Sequence, residues 1–242
     1  MISIVIPAFN EEKYIINCLK SVFNLEKASD YEVIVVNNAS TDKTAEIVKN
    51  NFPQAKVIDE PRKGLTIAYN RGAKEARGDI LVFVDADVIL PKDHLKKILF
   101  AFQKNPKLVA ISGPYLYYDG GFFPKIIFLL AVLFLALPAE IILNRILNIG
   151  TGFTSGNLAV KKEIFEKVSG FNEKIFYGLD ADLASRIRKL GKIQYRFSLM
   201  VKSSARRLKK EGTFKILARY ILNLLWPYFF GKPFTKDHID IR

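Results

Sequence analysis

Five short apolar runs in the first 112 residues, separated by stretches of helical periodicity, decide most of what this chain can fold into. They are Ser3–Ile6, Glu32–Val36, Lys56–Ile58, Asp79–Val84 and Leu108–Ser112. A strand that is apolar at nearly every position has both faces buried, so helices must cover both sides of its sheet. The intervening segments supply them. Tyr14, Ile15, Leu19, Val22 and Phe23 recur at helical spacing, with Asn10 placed to cap that helix and Glu11 and Glu12 in its first turn. Ser40-Thr41-Asp42 starts a second helix running through Asn50, Gly64–Arg77 forms a third that Gly78 closes, and Asp93–Lys104 a fourth. This alternation predicts an α/β fold with a mostly parallel sheet and helices on both faces. Ligands of such sheets sit beyond the carboxyl ends of the strands.

Three polar clusters fall at those ends: Pro7–Glu11, Asn37–Asp42 and Asp85–Asp87. Asp-x-Asp alone is a weak signal, since 12 aspartates in 242 residues give roughly 0.6 such triplets by chance. Position raises the first of the two present. Asp85 and Asp87 end an apolar strand at the ligand edge, where hard oxygen ligands suit Mg²⁺ or Mn²⁺ beside a diphosphate; the alternative is a helix cap and turn. Asp180 and Asp182, taken alone, read as a helix-start pair stabilised by the dipole. No GxxxxGK[ST] or GxGxxG loop is present, so a glycine cradle for phosphate is not supported. Neither His94 nor His238 has a zinc-like neighbourhood, and Cys18 lies by the apolar stripe of the first helix. That lone cysteine excludes an internal disulfide and favours a reducing compartment.

Beyond residue 150 the chain again reads as a domain. Asn157–Val160 is a strand, Lys162–Val168 a helix stopped by Gly170, Leu179–Leu190 a helix and Ile193–Phe197 a strand. The charge is uneven: 18 basic and 16 acidic side chains in residues 1–159, against 19 and 8 in 160–242, for a net +13. With it goes a mean hydropathy of +0.11, and basic with apolar together point to an anionic membrane surface. Ile126–Ala139 is an uncharged run interrupted by Glu140; as a helix it would span roughly 21 Å, short of the ~30 Å hydrocarbon core. It suits an interfacial or re-entrant helix, the alternative being a buried core helix. From Thr213 to Gly231 an apolar, aromatic stripe including Phe214, Leu217, Ile221 and Trp226 is flanked by Lys202, Arg206, Arg207, Lys209, Lys210, Lys215 and Arg219. That describes a helix in a membrane interface, with a core-packing terminal helix as the alternative. It carries too much aliphatic surface for a wet nucleic-acid interface, so no nucleic-acid partner is expected. Met1 leads straight into a strand, so the amino terminus is expected to stay cytosolic.

IVIPAFNEE at 4–12, VIVVNNASTD at 33–42, the run from Gly64 to Asp87 and GLDADLASRIRKLG at 178–191 together resemble a family 2 glycosyltransferase over roughly residues 1–200. The resemblance implies a GT-A fold, a nucleotide-diphosphate sugar donor, a divalent metal and inversion at the anomeric carbon. It assigns Pro7, Ala8, Phe9 and Glu11 to the nucleotide pocket, Asp85 to the ribose and metal, Asp87 to the metal and Asp180 to the catalytic base. Asn38 matches a base-contacting position where the family usually has Asp, and Asn37 replaces the preceding Asp. An amide donates as well as accepts, so UDP- and GDP-linked donors both stay open. Leu179 stands where the family's Glu precedes the base. Ser204-Ala205-Arg206-Arg207 is similar to a Ser-x-Arg-Arg stretch of some members, and guanidinium forks suit a donor diphosphate or an acceptor phosphate; the alternative is a solvated basic loop.

The expectation is therefore a metal-dependent inverting glycosyltransferase on the cytoplasmic membrane face, peripheral or monotopic, acting on a lipid-linked or membrane-proximal acceptor. Its GT-A domain is placed at 1–200, interrupted by an apolar interfacial segment at about 122–149, with a basic amphipathic tail at 201–242. Two other readings differ from it. A sugar-1-phosphate nucleotidyltransferase would want a Gly-rich, basic first loop, which IPAFNEE does not supply. A catalytically silent nucleotide-sugar-binding subunit draws support from Asn37, Asn38 and Leu179.

Overall fold

A computed structural model describes residues 1–119, 154–175 and 178–212, with isolated positions between 121 and 138 and at 222. The apolar run at 126–143 and the stripe after residue 213 lie almost wholly outside the described residues. Among those described, no helix is long and apolar enough to cross a membrane.

The first half alternates as its sequence dictates: β1 (Ile2–Ala8), α1 (Ile15–Phe23), β2 (Tyr31–Asn37), α2 (Thr44–Asn51), β3 (Lys56–Asp59), α3 (Leu65–Glu75) and β4 (Ile80–Val84). The short β5 (Val88–Ile89), α4 (His94–Lys104), β6 (Leu108–Ser112) and β7 (Tyr115–Tyr117) follow. Then come β8 (Asn157–Lys161), α5 (Lys162–Lys167), α6 (Leu179–Ile187), β9 (Lys192–Tyr195), β10 (Val201–Ser203) and α7 (Arg206–Glu211). Seven strands form the central sheet in the order β3-β2-β1-β4-β8-β6-β9. Its neighbours are parallel except at β8, which runs antiparallel to both β4 and β6. All seven residues of β1 are buried, and two hydrophobic clusters, one on each face, account for the unbroken apolar runs.

Two features go beyond the sequence reading. The reversed β8 pairs Asn157 with Val84, which brings residues 155 and 156 beside the end of β4. A second sheet, β5-β10-β7, stands apart from the first; its two- and three-residue strands are too short to leave a period-2 signal. Residues 201–212, grouped with the basic tail by composition, join the folded body through β10 and α7. Asn10 does not cap α1. Tyr14 occupies that position with no side-chain cap, while Asn10, at φ 53°, accepts the Thr41 N–H at 2.8 Å.

Candidate active site

The carboxyl ends of β1, β2 and β4 open on one side, and the predicted polar clusters meet there. Asp85 follows β4 directly. Its Oδ1 accepts from the Tyr69 hydroxyl at 2.6 Å and its Oδ2 from the Tyr115 hydroxyl at 3.3 Å. Tyr69 is held by an aromatic cluster with Phe83, Phe165 and Phe171, ring centroids 5.0–5.5 Å apart. The apolar core behind the sheet thus fixes a polar contact in front of it. Burial, reinforced by the charge on Asp85, pushes both hydroxyls well above the usual tyrosine range, so each stays a donor.

The turn before β8 touches two carboxylates at consecutive residues. Ser155 N–H donates to Asp180 Oδ1 at 2.9 Å. At Gly156 a Cβ would come within 2.2 Å of the Asp85 carboxyl group and 2.5 Å of the Tyr115 hydroxyl, so only glycine leaves room for Asp85. Asp180, in the first turn of α6, is pushed up to about 7, chiefly by burial and further by Asp85, against the Ser155 hydrogen bonds. Asp182 is committed elsewhere: it binds the Arg186 guanidinium, which also donates to the carbonyls of Val168 and Gly170.

Arg206, the first residue of α7, reaches back to the β1 end. Its Nη1 and Nη2 each lie 2.6 Å from an oxygen of the fully buried Glu11. Nη2 is also 3.0 Å from Asp87, and the guanidinium stacks 4.6 Å from the Tyr14 ring centroid. Burial works against this charge, but the bonds to Glu11 and the charge of Asp87 outweigh it and raise the pKa further. Asp119 steadies the approach by accepting from Ser204 Oγ at 2.6 Å and from the Ala205 N–H. Arg207 pairs instead with Glu211 along α7 at 2.9 Å.

Pro7 and Ala8 end β1, and the Phe9 ring beyond them carries the Lys63 ammonium 4.5 Å from its centroid. Asn38 is buried, its amide bonded to the backbone of residues 60–64. Asn37 Nδ2 donates to Asp59 at 2.8 Å. Cys18 lies beneath the site with its thiol 3.5 Å from the Asp85 carbonyl, and burial pushes it far above the thiolate range.

Among the described residues no three or more His, Cys, Asp or Glu side chains group to hold a metal. Asp85 and Asp87 nevertheless fit one. Mg²⁺ and Mn²⁺ commonly take one or two protein carboxylates and draw their remaining ligands from substrate phosphates and water. Each Asp85 oxygen retains a lone pair beyond the tyrosine hydrogen bond it accepts.

Tyr69, Tyr115, Tyr14, Ser155 and Gly156 are site residues that sequence reasoning missed. Tyr69 carried a signal, lying between Ala68 and Asn70 in the motif-like run after Gly64. The others carried none, because only the reversed β8 and the second sheet bring them in.

A mostly parallel sheet with one reversed strand, its carboxylates gathered at the strand ends, defines the GT-A class of transferase folds. The chain belongs to glycosyl transferase family 2, whose family model matches residues 3–169. A dolichol-phosphate mannosyltransferase of Pyrococcus furiosus is 29% identical over 237 residues, covering 93% of this chain and 63% of the relative. A dolichyl N-acetyl-α-D-glucosaminyl phosphate 3-β-D-2,3-diacetamido-2,3-dideoxy-β-D-glucuronosyltransferase of Methanococcus voltae is 35% identical over 122 residues, 46% of this chain and 38% of that one. The chain thus spans between about one third and two thirds of the length of these two relatives. The fold is similar to a mannosyltransferase from Pyrobaculum calidifontis in complex with GDP-Man and Mn²⁺, with a TM-score of 0.72 at 22% identity, covering 96% of this chain and 65% of that one. It is also similar to S. aureus TarS 1-349 in complex with UDP-GlcNAc, with a TM-score of 0.65 at 20% identity, covering 92% and 66%.

Proposed function

We propose that this protein transfers a sugar, with inversion, from a UDP- or GDP-linked donor to a lipid-linked or membrane-proximal acceptor. The observation that carries the reading is the turn at 155–156, which touches the Asp180 carboxylate with one residue and closes on the Asp85 carboxylate with the next. One turn thereby contacts both carboxylates, to which this reading gives different duties. Asp85 and Asp87 would hold Mg²⁺ or Mn²⁺, which when bound neutralises charge on the departing diphosphate. Arg206, whose guanidinium lies beside Asp87, takes a phosphate oxygen of the donor in this reading. Asp180 takes the proton of an attacking acceptor hydroxyl, and its raised pKa suits that work near neutral pH. Complexes of similar folds with GDP-Man and with UDP-GlcNAc support a nucleotide-sugar donor.

An acceptor at the cytoplasmic membrane face is supported by composition and by exposure. Ile126, Leu130, Leu133 and Phe134 are all exposed, at the spacing of one helical face, ahead of the basic region after residue 160. The dolichol-phosphate and dolichyl phosphate in the two relatives' names point the same way.

The test is a transfer assay with Asp180→Asn. Transfer to a hydroxyl acceptor should stop while donor binding, read by calorimetry, stays within about twofold, the amide being isosteric. Undiminished transfer would mean an already ionised phosphate acceptor or another base. Co-sedimentation with phosphatidylglycerol vesicles, set against phosphatidylcholine vesicles, tests the membrane part; equal binding to both would remove the electrostatic argument.

A further inference from the structure

The small sheet β5-β10-β7 has one face in the core and one face bare. Its strands alternate: Val88, Val201 and Ser203 are buried, while Lys202 and Leu116 stand exposed between inward-facing neighbours. Pairing sets Ile89, Lys202 and Leu116 in one row across the three strands, so they share the outer face. On the inner side Val88 and Val201 belong to the main core, and Tyr115 packs against it. Among the described residues none of the outer row joins a hydrophobic cluster, and Leu116 is 42% exposed.

A sheet face left to water is ordinarily polar. This one carries two aliphatic side chains about a lysine, whose stem can lie along apolar surface while its ammonium stays with water or phosphate. Basic charge continues beside it. Leu208 of α7 packs against Tyr117 of β7, and the last turn of that helix exposes Lys209 and Lys210. The chain carries the aliphatic character onward too: β7 leads through Asp119 to the stretch that holds the exposed Ile126, Leu130, Leu133 and Phe134. Aliphatic surface bordered by lysine complements an anionic bilayer, which offers hydrocarbon and negative headgroups together. An acidic protein would answer the lysines alone.

The inner face of the same sheet meets the candidate site. Tyr115 donates to Asp85 from that side at 3.3 Å, and the next residue, Leu116, points to the other. Asp87 precedes Ile89 by two residues, at most about 7 Å of extended chain.

We infer that the outer face of β5-β10-β7 docks this protein on an anionic bilayer, with Ile89 and Leu116 in the interface and Lys202 at the lipid phosphates. Docked so, the site stands about 10 Å from the headgroups, the depth of one sheet layer. An acceptor head group still attached to its lipid can reach that far. This rests on the membrane-proximal acceptor of the proposed reading and names the surface that meets the membrane.

The experiment exploits Cys18, which at 1% exposure is out of reach of a thiol label. Leu116→Cys in the full chain is labelled with an environment-sensitive fluorophore and mixed with vesicles of equimolar phosphatidylglycerol and phosphatidylcholine. Phe100→Cys provides the rival position, 60% exposed on α4 with Lys104 near its ring. The label at 116 should shift to the blue when vesicles are added, and the label at 100 should not. In co-sedimentation Lys202→Gln should weaken binding about fivefold, and Leu116→Asp about tenfold or more. A shift at 100 with none at 116, or unchanged binding of both variants, overturns the docking face. So does a label at 116 that is already blue without vesicles, since the chain itself or a second copy then covers the row. Failure of the unchanged protein to bind these vesicles at all would instead overturn the membrane-proximal reading.

Discussion

The guanidinium of Arg206 lies 2.6 Å from each oxygen of Glu11, across 195 residues of sequence. Glu11 is fully buried, and only 14% of the Arg206 side chain is exposed. This bond ties α7 to the end of β1 and brings the start of the basic carboxyl-terminal region into the site. An uncompensated buried carboxylate is expensive, so removing the arginine should cost more than the pair itself contributes.

Arg206→Met should therefore lower stability by about 3–5 kcal/mol, measured by urea unfolding. Adding Glu11→Gln to that variant should recover part of the loss, because a neutral amide tolerates burial better than a bare carboxylate. Equal stability of single and double variants would show that the ion pair is already solvated.

Asp87 shares the same guanidinium, 3.0 Å away, so a metal must compete with Arg206 for it. A donor diphosphate would draw the guanidinium to its own oxygens and release Asp87. Mn²⁺ should bind weakly to the nucleotide-free protein and at least about tenfold more tightly with UDP or GDP present, a coupling of ~1.4 kcal/mol. Reciprocity requires Mn²⁺ to tighten nucleotide binding by the same factor. Calorimetric titrations in both orders check this, and tight Mn²⁺ binding without nucleotide would refute it.

At Gly156 the space for a side chain is taken by Asp85, whose carboxyl group lies 2.2 Å from where a Cβ would stand. Gly156→Ala should push Asp85 out of line with Tyr69 and Tyr115. A misplacement of about 1 Å can cost about 10²-fold in rate. Transfer assays on Gly156→Ala should show that loss, with Tyr115→Phe milder because one hydroxyl contact remains on Asp85 through Tyr69. Full activity in Gly156→Ala would mean that Asp85 has no exacting position.

Much of this was legible in sequence, and the exceptions share a cause. β1, β2 and β4 declared themselves because burial on both faces leaves few polar positions, and Asp85 and Asp87 because they end such a run. The reversed β8 gave no such sign: Asn157–Val160 reads as a strand, but direction depends on a pairing across more than seventy residues. Arg206 reads from sequence as a phosphate ligand, but its pairing with Glu11 does not, since nothing local links the two. Asn38 shows the converse. Its position in the motif is recognisable, but the loop carbonyls that take its amide become visible only once β2 and β3 pair.

As the proposed base, Asp180 should set the pH dependence of the chemistry. Its carboxyl group is pushed up to about 7, and a base works only when ionised, so kcat/KM toward a hydroxyl acceptor should fall as pH drops below about 7. The slope should approach tenfold per pH unit well below that value. A flat profile from pH 5.5 to 8 would point to an acceptor that arrives already ionised.

His94 predicts a pH effect on the fold itself. Its side chain is 1% exposed at the start of α4. Burial, with the neighbouring charge of Lys97, lowers its pKa from 6.5 to about 4, and Asp93 offsets this only in part. The folded state therefore holds the neutral imidazole, whereas the unfolded chain takes up a proton near 6.5. The sign follows from that difference: stability is complete above about pH 6.5 and is lost as pH falls toward 4, by ~3 kcal/mol in all. His94→Gln removes the titrating group, so its unfolding free energy should fall less steeply than that of the unchanged protein between pH 6.5 and 4. Urea melts at half-unit intervals compare the two slopes, and parallel curves would show that other groups govern the acid limb.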